Sequence, residues 1–198
     1  MLYEQYLEQR KNTFLKTWDL IKDKNEIVIV ELGTSRSFKS WGISNDVKDW
    51  HPNNPERWSW SDGCFTRLFA DNLQDKKFTL YTIDPCEQAI SVVKTMCGDN
   101  NNVKILQMES TDFLNNFNQK IDLLYMDHLE SGEKACEVHL QDSKIIIEKD
   151  LMNDDSIILV DDCPKNTVGK GKYSIPYLLD NGYENVLHEY QMVLKRSK

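Results

Sequence analysis

Acidic residues recur in this chain directly after apolar runs. Ile27-Val28-Ile29-Val30 leads into Glu31-Leu32-Gly33-Thr34-Ser35, the run 78–83 ends on Asp84, and 103–108 is followed by Glu109-Ser110. The run 121–126 ends on Asp127, and 156–160 ends on Asp161-Asp162. A carboxylate can accept two hydrogen bonds at once, so it suits a pair of hydroxyls, and it is also a hard oxygen donor for a cation. Gly33 allows a ligand to come close to the backbone. Glu31 places a carboxylate where a ligand's cation or hydroxyl would sit. A single Asp after a strand is usually a turn residue or a helix cap. Repetition of the pattern along one sheet edge argues instead for a shared ligand site.

The positioning elements follow from the hydrophobic pattern. Four β-branched residues at 27–30 read as a buried strand. Further strands are expected at 78–84, 103–108, 121–127 and 156–162, with a closing hairpin at 184–188 and 191–195. Helical spacing of Leu2, Tyr6, Leu7, Phe14, Leu15 and Trp18 predicts an amphipathic helix over 2–21. Other helices are expected at 63–73 (capped by Ser61 or Asp62), 86–97, just after 109–112, 133–151 and 173–181. Alternating strands and helices give an α/β fold: a doubly wound, mostly parallel seven-stranded sheet with a C-terminal antiparallel hairpin. A ligand site in such a sheet lies outside the carboxyl ends of the strands.

The chain has 198 residues, a length that fits one domain, 1–198, with a sizeable core. The net charge is -8 with no dominant basic patch, which disfavours nucleic acid as a partner. Five scattered cysteines without metal-ligand spacing suggest reduced thiols and a cytoplasmic location. No signal-like opening and no apolar run of membrane-spanning length are present. Residues 38–60 hold Trp41, Trp50 and Trp58 among prolines, asparagines and aspartates, and Trp60 closes the segment. This insert either packs its own tryptophans over the sheet or forms a lid or substrate wall. Val168-Gly169-Lys170-Gly171-Lys172 fails as a phosphate loop, because Asn166 and Tyr173 replace the required Gly and Ser/Thr. It reads better as a mobile loop at the site mouth, where Lys170 and Lys172 could meet an anionic substrate.

The order and spacing of these motifs, from about residue 26 to 194, resemble the class I S-adenosylmethionine-dependent methyltransferases with their Rossmann-like fold. The resemblance implies that Glu31, Gly33, Thr34 and Ser35 form the cofactor's first loop. It further implies that Asp84 binds the ribose hydroxyls and that Glu109 and Ser110 meet the adenine. Ser37 and Asp154-Asp155 depart from the glycines usual in this class. Within it, the metal-dependent small-molecule O-methyltransferases of the catechol and macrolide- or aminocoumarin-sugar types are the nearest likeness. That likeness implies Mg²⁺ held by Asp127, Asp161 and Asp162, a set of hard oxygen donors that suits this ion. His128, Glu130 or Asp127 itself would take the acceptor's proton. The acceptor implied is a small molecule, by likeness a sugar or nucleotide sugar. Two other readings are a nicotinamide-dependent sugar oxidoreductase, which would need a GxGxxG after the first strand that the chain lacks, and a non-catalytic cofactor-binding module. The N-terminal helix, 1–22, could pack on its own domain or mediate a homodimer.

Overall fold

The computed structural model describes residues 1–167 and 169–197. Seven strands form one sheet: β1 (Glu26–Leu32), β2 (Lys77–Ile83), β3 (Val103–Leu106), β4 (Ile121–Met126), β5 (Met152–Val160), β6 (Tyr183–His188) and β7 (Met192–Arg196). Their order is β3-β2-β1-β4-β5-β7-β6. The first five are parallel, and β7 inserts antiparallel between β5 and β6. The helices are α1 (Lys11–Ile21), α2 (Phe65–Asn72), α3 (Glu87–Cys97), α4 (Ser110–Asn116), α5 (Glu133–Glu148) and α6 (Ser174–Asp180).

Side chains of a strand alternate between faces, and here both faces are apolar. Ile27, Ile29, Leu123, Tyr125, Ile157 and Leu159 join a core with Phe14 of α1 and Phe65, Leu68 and Phe69 of α2. Val30, Leu32, Leu124, Met126, Ile158 and Val160 join a second core with Phe113 and Leu114 of α4, Ile146 of α5 and Leu178 of α6. All six residues of β4 are buried, as befits a strand covered on both sides.

Register turns the sequence pattern into a site. Leu32 pairs with Ile83 on one side and Met126 on the other, and Met126 pairs with Val160. The residues that follow, Gly33, Asp84, Asp127 and Asp161, therefore share one level at one edge of the sheet. The strand order reverses at β1/β4, the place where an open α/β sheet leaves a crevice.

Some boundaries differ from expectation. The first helix begins only at Lys11, preceded by short 3₁₀ turns at Glu4–Tyr6 and Glu8–Arg10. Tyr3 and Glu8 adopt positive φ, which interrupts regular helix, and the turns carry Arg10 inward. Asp154 and Asp155 lie within β5 rather than in a turn before it. Neither Ser61 nor Asp62 caps α2, because Cys64 holds the N-cap position and Asp62 belongs to the turn Trp60–Asp62. The aromatic insert divides in two. Trp58 and Trp60 are buried and meet Tyr3 and Tyr6 of the N-terminal segment at ring distances of 5.0–5.7 Å. Trp41 is 78 % exposed.

Candidate active site

A cavity of about 570 Å³ opens at the carboxyl edge of β1 and β4. Thr34, Asp84 and Gln88 line one part of it. Asp84 accepts hydrogen bonds from the backbone N–H of Thr34 (3.2 Å) and of Cys86 (2.8 Å), which fix its carboxylate at the end of β2. Thr34 Oγ1 is buried and has no hydrogen-bond partner in the chain. A buried hydroxyl left unpaired is costly unless a ligand completes it, so this part of the cavity fits a polyhydroxylated cofactor.

The other expected cofactor residues stand differently. Glu31 is 2 % exposed and lies beneath the site, accepting a hydrogen bond from the Thr66 hydroxyl of α2. Burial pushes its pKa up to about 7, partly opposed by the hydrogen bond from Thr66. Ser35 is buried, Glu109 precedes α4 at its N-cap position and Ser110 is the first residue of that helix, and none of the three lines the cavity. Gly33 serves packing: at φ +87° it sits so close to β4's end that a Cβ would lie 2.6 Å from the His128 backbone. No residue with a side chain fits there.

Asp127, Asp161 and Asp162 converge as the family likeness implied, each offering an oxygen within 4.8 Å of the others. The chain's own cations already fill the set. Arg10 grips Asp161 through Nη2 (2.6 Å) and Nε (3.1 Å), and Gln191 donates to the same carboxylate at 2.7 Å. Lys170 Nζ lies 2.9 Å from both Asp127 Oδ1 and Asp162 Oδ2, and it also contacts the Asp127 carbonyl at 3.3 Å. Tyr125 donates to Asp127 (3.2 Å) and Tyr190 donates to Asp162. Burial alone would raise the Asp161 pKa, but the Arg10 guanidinium overrides it and holds the carboxyl below its ordinary range. Asp127 is pushed well up by burial and by the neighbouring Asp161 charge, against the opposing pull of Lys170. As arranged, the three carboxylates do not fit a resident Mg²⁺. Asp161 has both oxygens engaged, and an ammonium occupies the place between the other two.

The expected proton acceptors separate. Glu130 is exposed at the mouth and paired with Arg36, which holds its carboxyl below the usual range. The His128 ring turns toward α5, with Nε2 2.9 Å from Asp142 Oδ2, and stacks on His139 at 4.3 Å. Its ring nitrogens are covered. Asp127 faces the cavity. Sequence reasoning missed Arg10, Tyr125, Tyr190 and Gln191, and treated Asp62 only as a helix cap. Asp62 lines the cavity, and burial raises its pKa. The loop reading of 168–172 is corrected for Lys170, which is 3 % exposed and belongs to the site floor, whereas Lys172 stays outside with Glu133.

A family model described as "Methyltransferase domain" matches residues 60–163, just over half of the chain. Solved structures agree on the fold. The S-adenosylhomocysteine-bound methyltransferase PaMTH1 of Podospora anserina superposes with a TM-score of 0.62 at 14 % identity, over 96 % of this chain and 78 % of that one. A methyltransferase from Geobacter sulfurreducens gives 0.58 at 13 % identity, covering 96 % and 80 %. An rRNA methylase from Streptococcus thermophilus gives 0.55 at 11 % identity, covering 92 % and 95 %. No curated protein matches the chain in sequence. The sheet order and the cavity define a class I S-adenosylmethionine-dependent methyltransferase fold. The chain belongs to this methyltransferase domain family, and it is an S-adenosylmethionine-dependent enzyme. Among the described residues, no helix is long and apolar enough to cross a membrane.

Proposed function

We propose that the enzyme transfers a methyl group from S-adenosylmethionine to a hydroxyl of a small molecule. The observation that carries this reading is the two-part cavity. Asp84 and the unpaired Thr34 hydroxyl lie in one part, and the carboxylate floor around Asp127 lies in the other. Asp84 would hold the ribose hydroxyls of the methyl donor, which supplies an electrophilic methyl group. The acceptor oxygen forms its bond to the methyl carbon as the carbon–sulfur bond breaks, and the hydroxyl proton passes to Asp127. Positioning of acceptor and donor in one cavity accounts for most of the acceleration. Trp41 and Ile43 on the rim offer apolar surface to an acceptor ring, and a sugar or nucleotide sugar is the class the family likeness favours.

Calorimetric titration with S-adenosylhomocysteine tests the reading. Wild type should bind at micromolar concentration, Asp84→Ala at least roughly tenfold more weakly through the lost hydrogen bonds, and Asp127→Asn nearly as wild type. Equal affinity of wild type and Asp84→Ala would refute the placement of the donor. The convergence of Asp127, Asp161 and Asp162 supports a second reading, in which these carboxylates, once rearranged, would hold Mg²⁺ and the ion would supply Lewis-acid activation of the acceptor hydroxyl. It requires Lys170 to leave the carboxylates and Asp161 to release Arg10.

A further inference from the structure

We propose that the acidic floor of this site uses Lys170 and Arg10 as built-in cations in place of a divalent metal. Lys170 then acts as a positioning residue for Asp127. Both cationic side chains are nearly inaccessible, at 4 % and 5 % exposure for Lys170 and Arg10, so neither is a surface lysine or arginine that happens to lie near acids. Isolated charges are not buried to this extent without partners, and here the charged partners are the site carboxylates. The Lys170 ammonium donates to Asp127 Oδ1 and to the Asp127 carbonyl, and it forms an ion pair with Asp162 Oδ2 at 2.9 Å. The ammonium thus ties the end of β4 to the turn after β5, as a bridging metal would.

The backbone is shaped for that contact. Asp162 adopts a left-handed φ of 49°, an uncommon conformation for a residue with a side chain, which follows Asp161 with a sharp turn. Gly169, at φ +42°, lies so close that a Cβ would come within 1.7 Å of the Asp162 carbonyl oxygen. Only glycine lets the following Lys170 N–H reach that same carbonyl, at 3.2 Å. The Gly169-Lys170 pair is therefore seated on the Asp161-Asp162 turn by backbone as well as by charge.

The consequence concerns the acceptor. With an ammonium between Asp127 and Asp162, no coordination position remains for a pair of neighbouring oxygens. The acceptor engages through a single hydroxyl set against Asp127, its orientation fixed by the Lys170 and Tyr125 bonds that hold that carboxylate. This statement about the acceptor rests on the methyl-transfer reading, whereas the cation assignment does not.

Titration of the metal-stripped full chain with Mn²⁺, followed by electron paramagnetic resonance and calorimetry, tests the assignment independently of any acceptor. Wild type should not bind in the sub-millimolar range. Lys170→Met, which vacates the place between the carboxylates, should bind Mn²⁺ at least roughly tenfold more tightly than wild type, and Lys170→Arg should show no gain. Absence of a gain in Lys170→Met, whether both proteins bind or neither does, overturns the assignment. Should Lys170→Met not fold, the wild-type titration still decides: sub-millimolar Mn²⁺ binding that Asp162→Asn abolishes makes the floor a metal site, and its absence upholds the built-in cation. S-adenosylhomocysteine affinity measured on the same samples separates this outcome from a failure of the donor site.

Discussion

At the scale of single residues, the site shows how surroundings divide chemically similar side chains among different tasks. Asp161 is fully buried and clasped by Arg10 and Gln191, so it is an anchor. Asp127 is held by Lys170 and Tyr125 yet faces the cavity. Glu31 is buried with one hydroxyl partner and no cation, and burial raises its pKa to about 7. A carboxyl whose pKa is higher in the native state than in the unfolded chain costs stability as pH rises between those two values. The unfolded chain releases this proton near the ordinary value of 4.5 and the native state near 7, so the loss accrues between them and levels off above. Glu31→Gln cannot ionise, and its stability relative to wild type should increase across that window by up to about 3 kcal/mol. Urea unfolding of both proteins at several pH values checks this, and a constant difference would contradict the buried, raised carboxyl.

At the scale of elements, the β1 and β4 ends pack backbone against backbone. Gly33 presses against the backbone of Asp127 and His128, and its own N–H donates to the carbonyl of Ile83 at the end of β2. This glycine joins three strand ends, so its role is architectural even though it lies in the loop expected to line the cofactor. Gly33→Ala should destabilise the fold by at least about 2 kcal/mol, because the methyl group meets backbone atoms that cannot turn aside and φ is positive. A lower urea midpoint with an unchanged slope is the expected result. The α2 helix shows the complementary case, in which an apolar face was readable but the start was not. Cys64 rather than Ser61 or Asp62 takes the N-cap position, which leaves Asp62 facing the cavity.

At the scale of the whole molecule, the N-terminal segment is part of the site. Tyr3 packs at a tilt against Trp58, Tyr6 stacks on Trp60, and Arg10 crosses to Asp161 beneath the cavity. Removing one member of a buried ion pair strands the other. Arg10→Met should therefore cost about 3–5 kcal/mol, and the paired change Arg10→Met with Asp161→Asn should recover much of it. Thermal unfolding of the two single variants and the double variant measures the coupling. Additive losses would show that the contact contributes little.

What the sequence determined by itself was local and periodic. Apolar runs set the strands, helical spacing set most helices, and the acids after the runs announced one functional edge, because period and composition act within a few residues. The parallel order then followed from alternation and handedness. The tertiary structure decided everything that depends on partners far apart in the chain. Arg10 and Asp161 are separated by 151 positions, and Lys170 and Asp127 by 43. No local pattern marks Arg10 as the counter-ion of a strand end, and Lys170 sits in a glycine-rich stretch that reads as a surface loop. The direction of the His128 ring was equally hidden, since Asp142 and His139 reach it from α5. Electrostatic pairing acts across whatever distance in sequence the fold brings together, so the acids could be found from sequence, but which cations answer them could be found only from the assembled sheet.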